Sequence, residues 1–454
     1  MQDRKISFPN EIHNLIINEI GFEYYAVLTT NQLYTPCPTA DTKIYPLKAL
    51  SAYRLVSHLF SFLATPFMFS TIILTYHKTR HHAQRRKIHS ERLRGLLHIL
   101  NDNDNFFSST VRTLDYYYEW ERFGNLDDGA IFYKILSQLP RIQNFSFGPS
   151  IADSRIKYPE IAQDFTSAIR NLCRSPFLTI LGLRNIKHFP ITIITACPNL
   201  RVLRLQRMTD LSHDSMSSPQ DDDLLYLDSL EIDDESTRAL LKSDIPPLSE
   251  CLSRLKRLRL LRVGFKVCGT RATMVKKWAQ TLTHLDICYI LDPFPVADNE
   301  ELIDLARLPA LRSLKVHFIL VTSEVSLPTY LHHFFNLPSA PTGIKAMEIS
   351  IFWQFPSGYG GQRPKDIFFP EAGWSKLDQI LASEKYPSLE QVVFDFRIRK
   401  ANIKSSPIPK NGPLMHSMID TLFPVVKASK RVRYSLRFTK RHTRYLWLDG
   451  LDVI

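Results

Sequence analysis

Glycine is scarce in this chain. Of 454 residues only 15 are glycine, against 28 prolines. That balance speaks against the glycine-rich turns of cofactor-binding folds and suits short elements stopped by prolines. The sequence has no phosphate-cradling glycine loop, no nucleophile elbow and no His-Glu-x-x-His pair. It also lacks any Cys-x-x-Cys pair. Cys37, Cys173, Cys197, Cys251, Cys268 and Cys288 are scattered, mostly within apolar periodic segments. This is the pattern of buried thiols in a reducing compartment. The opening MQDRKISFPNEI has no apolar core of the kind a secretory signal needs. The expectation is a cytoplasmic or nuclear protein with no cofactor.

Acidic residues are outnumbered, 45 against 57 lysines and arginines, for a formal net charge of +12. The basic clusters fall at 78–94, 254–266, 397–404 and 427–444, and an acidic serine-bearing loop, SHDSMSSPQDDD at 212–223, interrupts them. Ser218-Pro219 in that loop is a candidate phosphorylation site. No nucleic-acid-binding motif accompanies the charge, so solvated faces of a basic protein are the expectation. The tract HKTRHHAQRRKIH at 77–89 carries four histidines without acidic or cysteine ligands, and Arg85, Arg86 and Lys87 would repel a cation. It reads as a basic loop before the helix SERLRGLLHIL, and no metal site is expected.

One stretch is missing charge altogether. LVSHLFSFLATPFMFSTIILTY, residues 55–76, is long enough to span a bilayer, which takes roughly 20 apolar residues. Its apolar order, however, begins earlier. Leu47, Leu50, Leu55, Leu59, Phe62 and Leu63 fit an amphipathic helix that ends near Ala64. Pro66 breaks it, and FMFSTIILTY beyond is rich in β-branched and aromatic residues, which predicts a strand. Helix, proline and strand explain more of this pattern than a membrane span does. Upstream, FPNEIHNLIINEI places Pro9 in a helical first turn and sets Ile12, Leu15, Ile16, Ile17 and Ile20 on one apolar face, stopped by Gly21.

These two segments together resemble the F-box motif of many fungal F-box proteins. The resemblance rests on Pro9, Glu11, Ile12, Ile16 and Ile20, then on Leu50, Arg54, Leu55, Val56, Ser57, Phe60, Leu63, Pro66 and Phe69. Phe8 stands where the family usually has leucine, and a long insert at 22–46 separates the halves. The resemblance implies a small helical module over residues 6–75 that docks the Skp-type adaptor of a cullin–RING ubiquitin ligase. The docking residues it implies are Phe8, Pro9, Ile12, Ile16, Ile20, Leu50, Arg54, Leu55, Val56, Phe60 and Leu63. An amphipathic helix lending its apolar face to a partner's groove is the physical basis.

After a basic linker and helix at 76–110, a hexamer of pattern φ-x-x-φ-x-φ, with φ apolar, recurs ten times. Its instances are VRTLDY (Val111), IQNFSF (Ile142), LTILGL (Leu178), LRVLRL (Leu200), LDSLEI (Leu227), LKRLRL (Leu255), LTHLDI (Leu282), LRSLKV (Leu311), IKAMEI (Ile344) and LEQVVF (Leu389). Several share an x-Pro-x-φ lead-in: LPRI, CPNL, LPAL and YPSL. Spaced about 22 to 45 residues apart, they carry the signature of leucine-rich repeats. IAQDFTSAIRNLC, ATMVKKWAQTL, NEELIDLARL and GWSKLDQILASE supply intervening helices. The predicted fold is α/β: the helical module, then an irregular leucine-rich-repeat solenoid of parallel strands over 111–454.

Period-two alternation sends the residues between the φ positions to the concave face. The candidate target-binding set is Arg204, Gln206, Glu231, Asp233, Arg257, Arg259, His284, Asp286, Lys315 and His317. Its sign alternates along the row, which suits a protein or peptide partner. The glycine- and aromatic-bearing loop FWQFPSGYGGQRP at 352–364 is a further recognition candidate. The leading expectation is a non-catalytic substrate receptor of an SCF-type ubiquitin ligase that recruits an unknown protein target. The alternative is a ligase-independent repeat scaffold that binds RNA or an acidic protein through the basic clusters. A hydrolase or transferase with carboxylates brought together from distant positions is a third possibility.

Overall fold

The computed structural model describes residues 64, 69–75, 82–102, 106–118, 126–149, 155–158, 161, 163–212, 226–242, 250–263, 268–291, 303–320, 327–336, 338–354, 371–399, 423–429 and 431–441. The docking residues Phe8, Pro9, Ile12, Ile16, Ile20, Leu50, Arg54, Leu55, Val56, Phe60 and Leu63 lie outside them, as do Ser218 and nearly all of the loop at 352–364.

The chain is α/β and divides into two units, 1–200 with 210–225 and 443–454, and 201–209 with 226–442. The first unit carries β1 (Thr71–Thr75), β2 (Thr113–Tyr118), β3 (Asn144–Pro149), β4 (Ile156–Lys157), β5 (Ile180–Arg184) and β6 (Ile186–Lys187). The second carries β7 (Val202–Gln206), β8 (Ser229–Asp233), β9 (Arg257–Val263), β10 (His284–Leu291), β11 (Ser313–Leu320), β12 (Ala346–Gln354), β13 (Gln391–Arg399) and β14 (Arg433–Arg441). In the first unit β1, β2, β3 and β5 lie side by side in parallel, with β4 and β6 as a separate parallel pair. In the second, β7 to β14 follow one another in parallel and in chain order.

Each hexamer forms one of these strands, and each strand starts at the third residue of its hexamer. The reason is visible in the burial. The first apolar residue is 0 % exposed in every one of them, from Val111 through Leu200, Leu255 and Leu311 to Leu389. The fourth and sixth are equally hidden, as at Leu203 and Leu205, Leu230 and Ile232, or Met347 and Ile349. A fully buried leucine or isoleucine is worth about 1.5–3 kcal/mol. A hexamer with three such residues therefore commits to one orientation, because a one-residue slip would turn its apolar side outward.

Rings on this side meet the helix that follows the strand. Tyr116 stacks on Phe132 of Leu126–Ser137 at 3.8 Å, Phe147 meets Phe165 of Gln163–Cys173 at 4.7 Å, and Phe318 meets Phe334 of Leu327–Asn336 at 6.3 Å. The apolar side of the strands is thus the helix side.

The backbone fixes the register by a repeated device. In eight of the ten hexamers the carbonyl of the second residue accepts two N–H groups from the start of the next repeat. Arg112 O takes Gln143 N at 2.7 Å and Asn144 N at 2.9 Å, and Asp228 O takes Lys256 N at 3.1 Å and Arg257 N at 3.0 Å. Lys256, Thr283, Arg312 and Lys345 do the same.

Three sequence expectations are refined. The strand expected inside the docking module, Thr71–Thr75, pairs in parallel with β2, and FSTIIL at 69–74 itself fits the hexamer. Thr71–Thr75 of the uncharged stretch are therefore strand and not helix. The segment read as a basic loop is helical from His82, as part of a helix running to Asp102. Within NEELIDLARL, where residues 303–308 are described, a short 3-10 turn forms at Leu305–Arg307, capped by Asp304. Among the described residues no helix is long and apolar enough to cross a membrane.

Candidate functional site

The strand face turned away from the helices carries the fifth residue of each hexamer. In the second unit the parallel register sets Arg204 beside Glu231, Glu231 beside Arg259, Arg259 beside Asp286, Asp286 beside Lys315 and Lys315 beside Glu348. Neighbouring strands are about 4.8 Å apart, so opposite charges at the same register come within reach of one another.

The contacts follow. Arg204 Nε and Arg259 Nη1 each lie 3.6 Å from Glu231 Oε2, and Arg259 Nε lies 3.2 Å from Asp286 Oδ2. His317 Nε2 is 3.2 Å from Asp286 Oδ1, reaching diagonally from the next strand. Lys315 Nζ is 2.7 Å from Glu348 Oε1, which also accepts from Ser350 Oγ at 3.3 Å.

The row is largely out of water. The Glu231 side chain is 5 % exposed, Arg259 11 %, His317 10 % and Asp286 23 %. Burial pushes the Glu231 carboxyl up to about 7, with Arg204 opposing and Asp286 adding to the rise. Burial works the same way on Asp286, but the hydrogen bond and charge of His317, with Arg259 and Lys315, hold its carboxyl below the ordinary value. Glu348 is likewise held low against burial, by Lys315, His317 and Ser350.

Of the ten candidate target-binding residues, the structure joins Arg204, Glu231, Arg259, Asp286, Lys315 and His317 in this row. Glu348 completes it, and its place was readable as the fifth residue of IKAMEI. Asp233 has a different task. Its Oδ1 accepts from Ser236 N at 2.9 Å and its Oδ2 from Arg207 N at 2.7 Å. It thereby caps the helix Asp234–Lys242 and ties down the turn after β7, where Arg207 sits at φ 53°. Arg257 and His284, at the third hexamer position, are exposed, and His284 Nδ1 pairs with Thr283 Oγ1 at 2.8 Å. Gln206 is half-buried.

In the first unit the same face is small and polar. Asp115 and Ser146 are buried, and Gly182 stands where a Cβ would come within 2.9 Å of Ser146 Oγ. Gly148 adopts φ 151°, and a Cβ there would meet Arg184 O at 2.0 Å, so no other residue fits.

Chemically, the row in the second unit is a set of mutually offsetting charges, with three cations, three carboxylates and one imidazole at known spacing. Among the described residues no group of three or more His, Cys, Asp or Glu could hold a metal. Cys173, Cys197, Cys251 and Cys288 are buried thiols outside any disulfide, and burial raises the Cys251 thiol to about 11, away from the reactive thiolate.

The fold defines a parallel-strand repeat protein of the α/β class. The chain matches no protein-family model and no curated protein.

Proposed function

We propose that this chain is the non-catalytic substrate receptor of an SCF-type cullin–RING ubiquitin ligase. The segment with the F-box-like residues docks a Skp-type adaptor, and the repeat array holds the protein target. The observation that carries the reading is the repetition itself. One parallel strand per hexamer builds an extended in-register array, held rigid by charges that pair from strand to strand, an architecture suited to presenting a long surface to another polypeptide. The work done is proximity: a target held beside a ubiquitin-loaded enzyme experiences a raised effective concentration, and this chain forms and breaks no bonds.

The test is affinity capture of a purified Skp-type adaptor by the full chain and by Leu55→Asp and Ile16→Asp variants. Point variants are preferable to removing residues 1–75, because that deletion would strip β1 from its pairing with β2. Capture by the full chain and its loss in both variants supports the proposal. No capture by the intact chain refutes it.

A further inference from the structure

We propose that the strand-start edge of the second unit is a binding surface for an acidic, extended peptide segment. Because its strands are parallel and in register, all the helix-to-strand turns of this unit fall at one edge. Lysine and arginine dominate these turns. Among the described residues, the carboxylates there are Asp228, Glu250, Asp304, Glu384 and Glu390, and Asp304 is engaged by Arg307 at 3.4 Å and Ser339 Oγ at 3.1 Å. Asp228 is already engaged by Lys256 at 3.3 Å and Arg201 at 3.7 Å, and Glu390 by Lys345 at 3.1 Å.

What singles out this edge is how its other cations are held. Arg312 Nη1 donates to Pro309 O at 3.0 Å, Leu311 O at 3.1 Å and Gly343 O at 3.4 Å. Lys385 Nζ donates to Asn336 O at 2.6 Å and Asn336 Oδ1 at 2.8 Å. Arg431 donates to Pro387 O at 3.3 Å and Ala382 O at 3.5 Å. Every acceptor is neutral, so among the described residues the side chains are ordered without a carboxylate partner. Ordering an interface side chain on binding carries an entropic cost, and here that cost is met within the fold. Exposed Arg257 and Arg433 extend the row.

The geometry favours a peptide over a nucleic acid. Neighbouring strands present their turns about 4.8 Å apart, and an extended chain rises about 3.3 Å per residue, so closely spaced carboxylates meet successive cations. Single-stranded nucleic acid needs aromatic platforms between its cations. On this edge Tyr226 is covered by the Arg254 guanidinium at 4.1 Å and Tyr386 is fully buried. The inference rests on the reading of the repeat array as the target-binding part, and not on adaptor docking.

The experiment is fluorescence anisotropy on the full chain. The probe is a labelled alternating Glu-Ser peptide of about 12 residues, long enough at ~3.4 Å per residue to cross this edge. The comparison ligands are its Gln-Ser counterpart and an oligouridylate of similar length. Saturable binding of the Glu-Ser peptide that weakens with added salt, at least tenfold tighter than the Gln-Ser peptide, is the expected result. The Arg312→Glu/Lys385→Glu/Arg431→Glu variant should lose at least tenfold in affinity. So should Arg257→Glu/Arg433→Glu, whose side chains are exposed. Adaptor capture should be unchanged in both. Equal affinity for the two peptides, undiminished binding by both variants, or tighter binding of the oligouridylate would overturn the inference. Failed adaptor capture with intact peptide binding would count against the ligase reading alone.

Discussion

Arg259 reaches Asp286 across a strand boundary, Nε to Oδ2 at 3.2 Å, with the two side chains only 11 % and 23 % exposed. A pair this far from water is unlike the surface pair Lys256–Asp228, whose side chains are 63 % and 42 % exposed. Breaking a buried pair strands a charge and costs about 3–5 kcal/mol, whereas an exposed pair is worth about 0–1 kcal/mol. Arg259→Ala should therefore lower the urea midpoint far more than Lys256→Ala. Equal small effects would mean that the row is open to solvent.

Glu231 gives the row a pH signature of opposite sign to its neighbours. Its folded carboxyl is raised to about 7 by burial, above the ordinary 4.5. The folded state thus binds the proton more tightly. The associated stability is fully present below about pH 4.5 and is lost as pH rises through about 7. Asp286 and Glu348 are held low, so what they contribute is present above their ordinary values and lost as pH falls through their folded ones. Glu231→Gln removes the first effect alone. Urea titrations should show the variant gaining stability relative to the parent between pH 5 and pH 8. An unchanged difference across that window would contradict the burial of this group.

Asp378, on the helix Glu371–Ala382, accepts from Val425 N at 2.7 Å and Val426 N at 2.8 Å, and so closes the start of the short helix Pro424–Ala428. Loss of a side-chain cap costs about 0.5–2 kcal/mol. Asp378→Ala should lower stability by that order and speed hydrogen exchange at Val425 and Val426 before the rest of the unit. Unchanged exchange at these two amides would show that the cap is idle.

At Gly182 a methyl group would lie 2.9 Å from Ser146 Oγ and 3.2 Å from Ser146 Cβ. Overpacking of this kind costs about 1–3 kcal/mol. Gly182→Ala should destabilise the parent by that order, and much less in a Ser146→Gly background. Additive effects in the double-mutant cycle would place the strain elsewhere.

Most of the strand framework was legible because three apolar positions per hexamer leave little choice of orientation. β14 was not, since Arg431 occupies the place of the first apolar residue and its side chain turns outward to Pro387 O. β1 was read as a strand but assigned to the docking module, because its apolar run is continuous in sequence with the segment before it. For the candidate site, alternation correctly sent Arg204, Glu231, Arg259, Asp286 and Lys315 to one face. It could not say that these charges would engage each other, which depends on register. Asp233 shows the same limit, since a helix cap and a surface carboxylate look alike in a strand-final position. The neutral acceptors under Lys385 and Arg431, and Gly343 O under Arg312, come from one repeat away, and no local pattern announces them.

The most direct measurement is the mass of the species formed when the purified full chain is mixed with a purified Skp-type adaptor, read by size exclusion with light scattering. The account predicts a one-to-one complex that Leu55→Asp abolishes while the variant keeps the parent's circular dichroism and urea midpoint. Two separate peaks for the unaltered chain and the adaptor would contradict it.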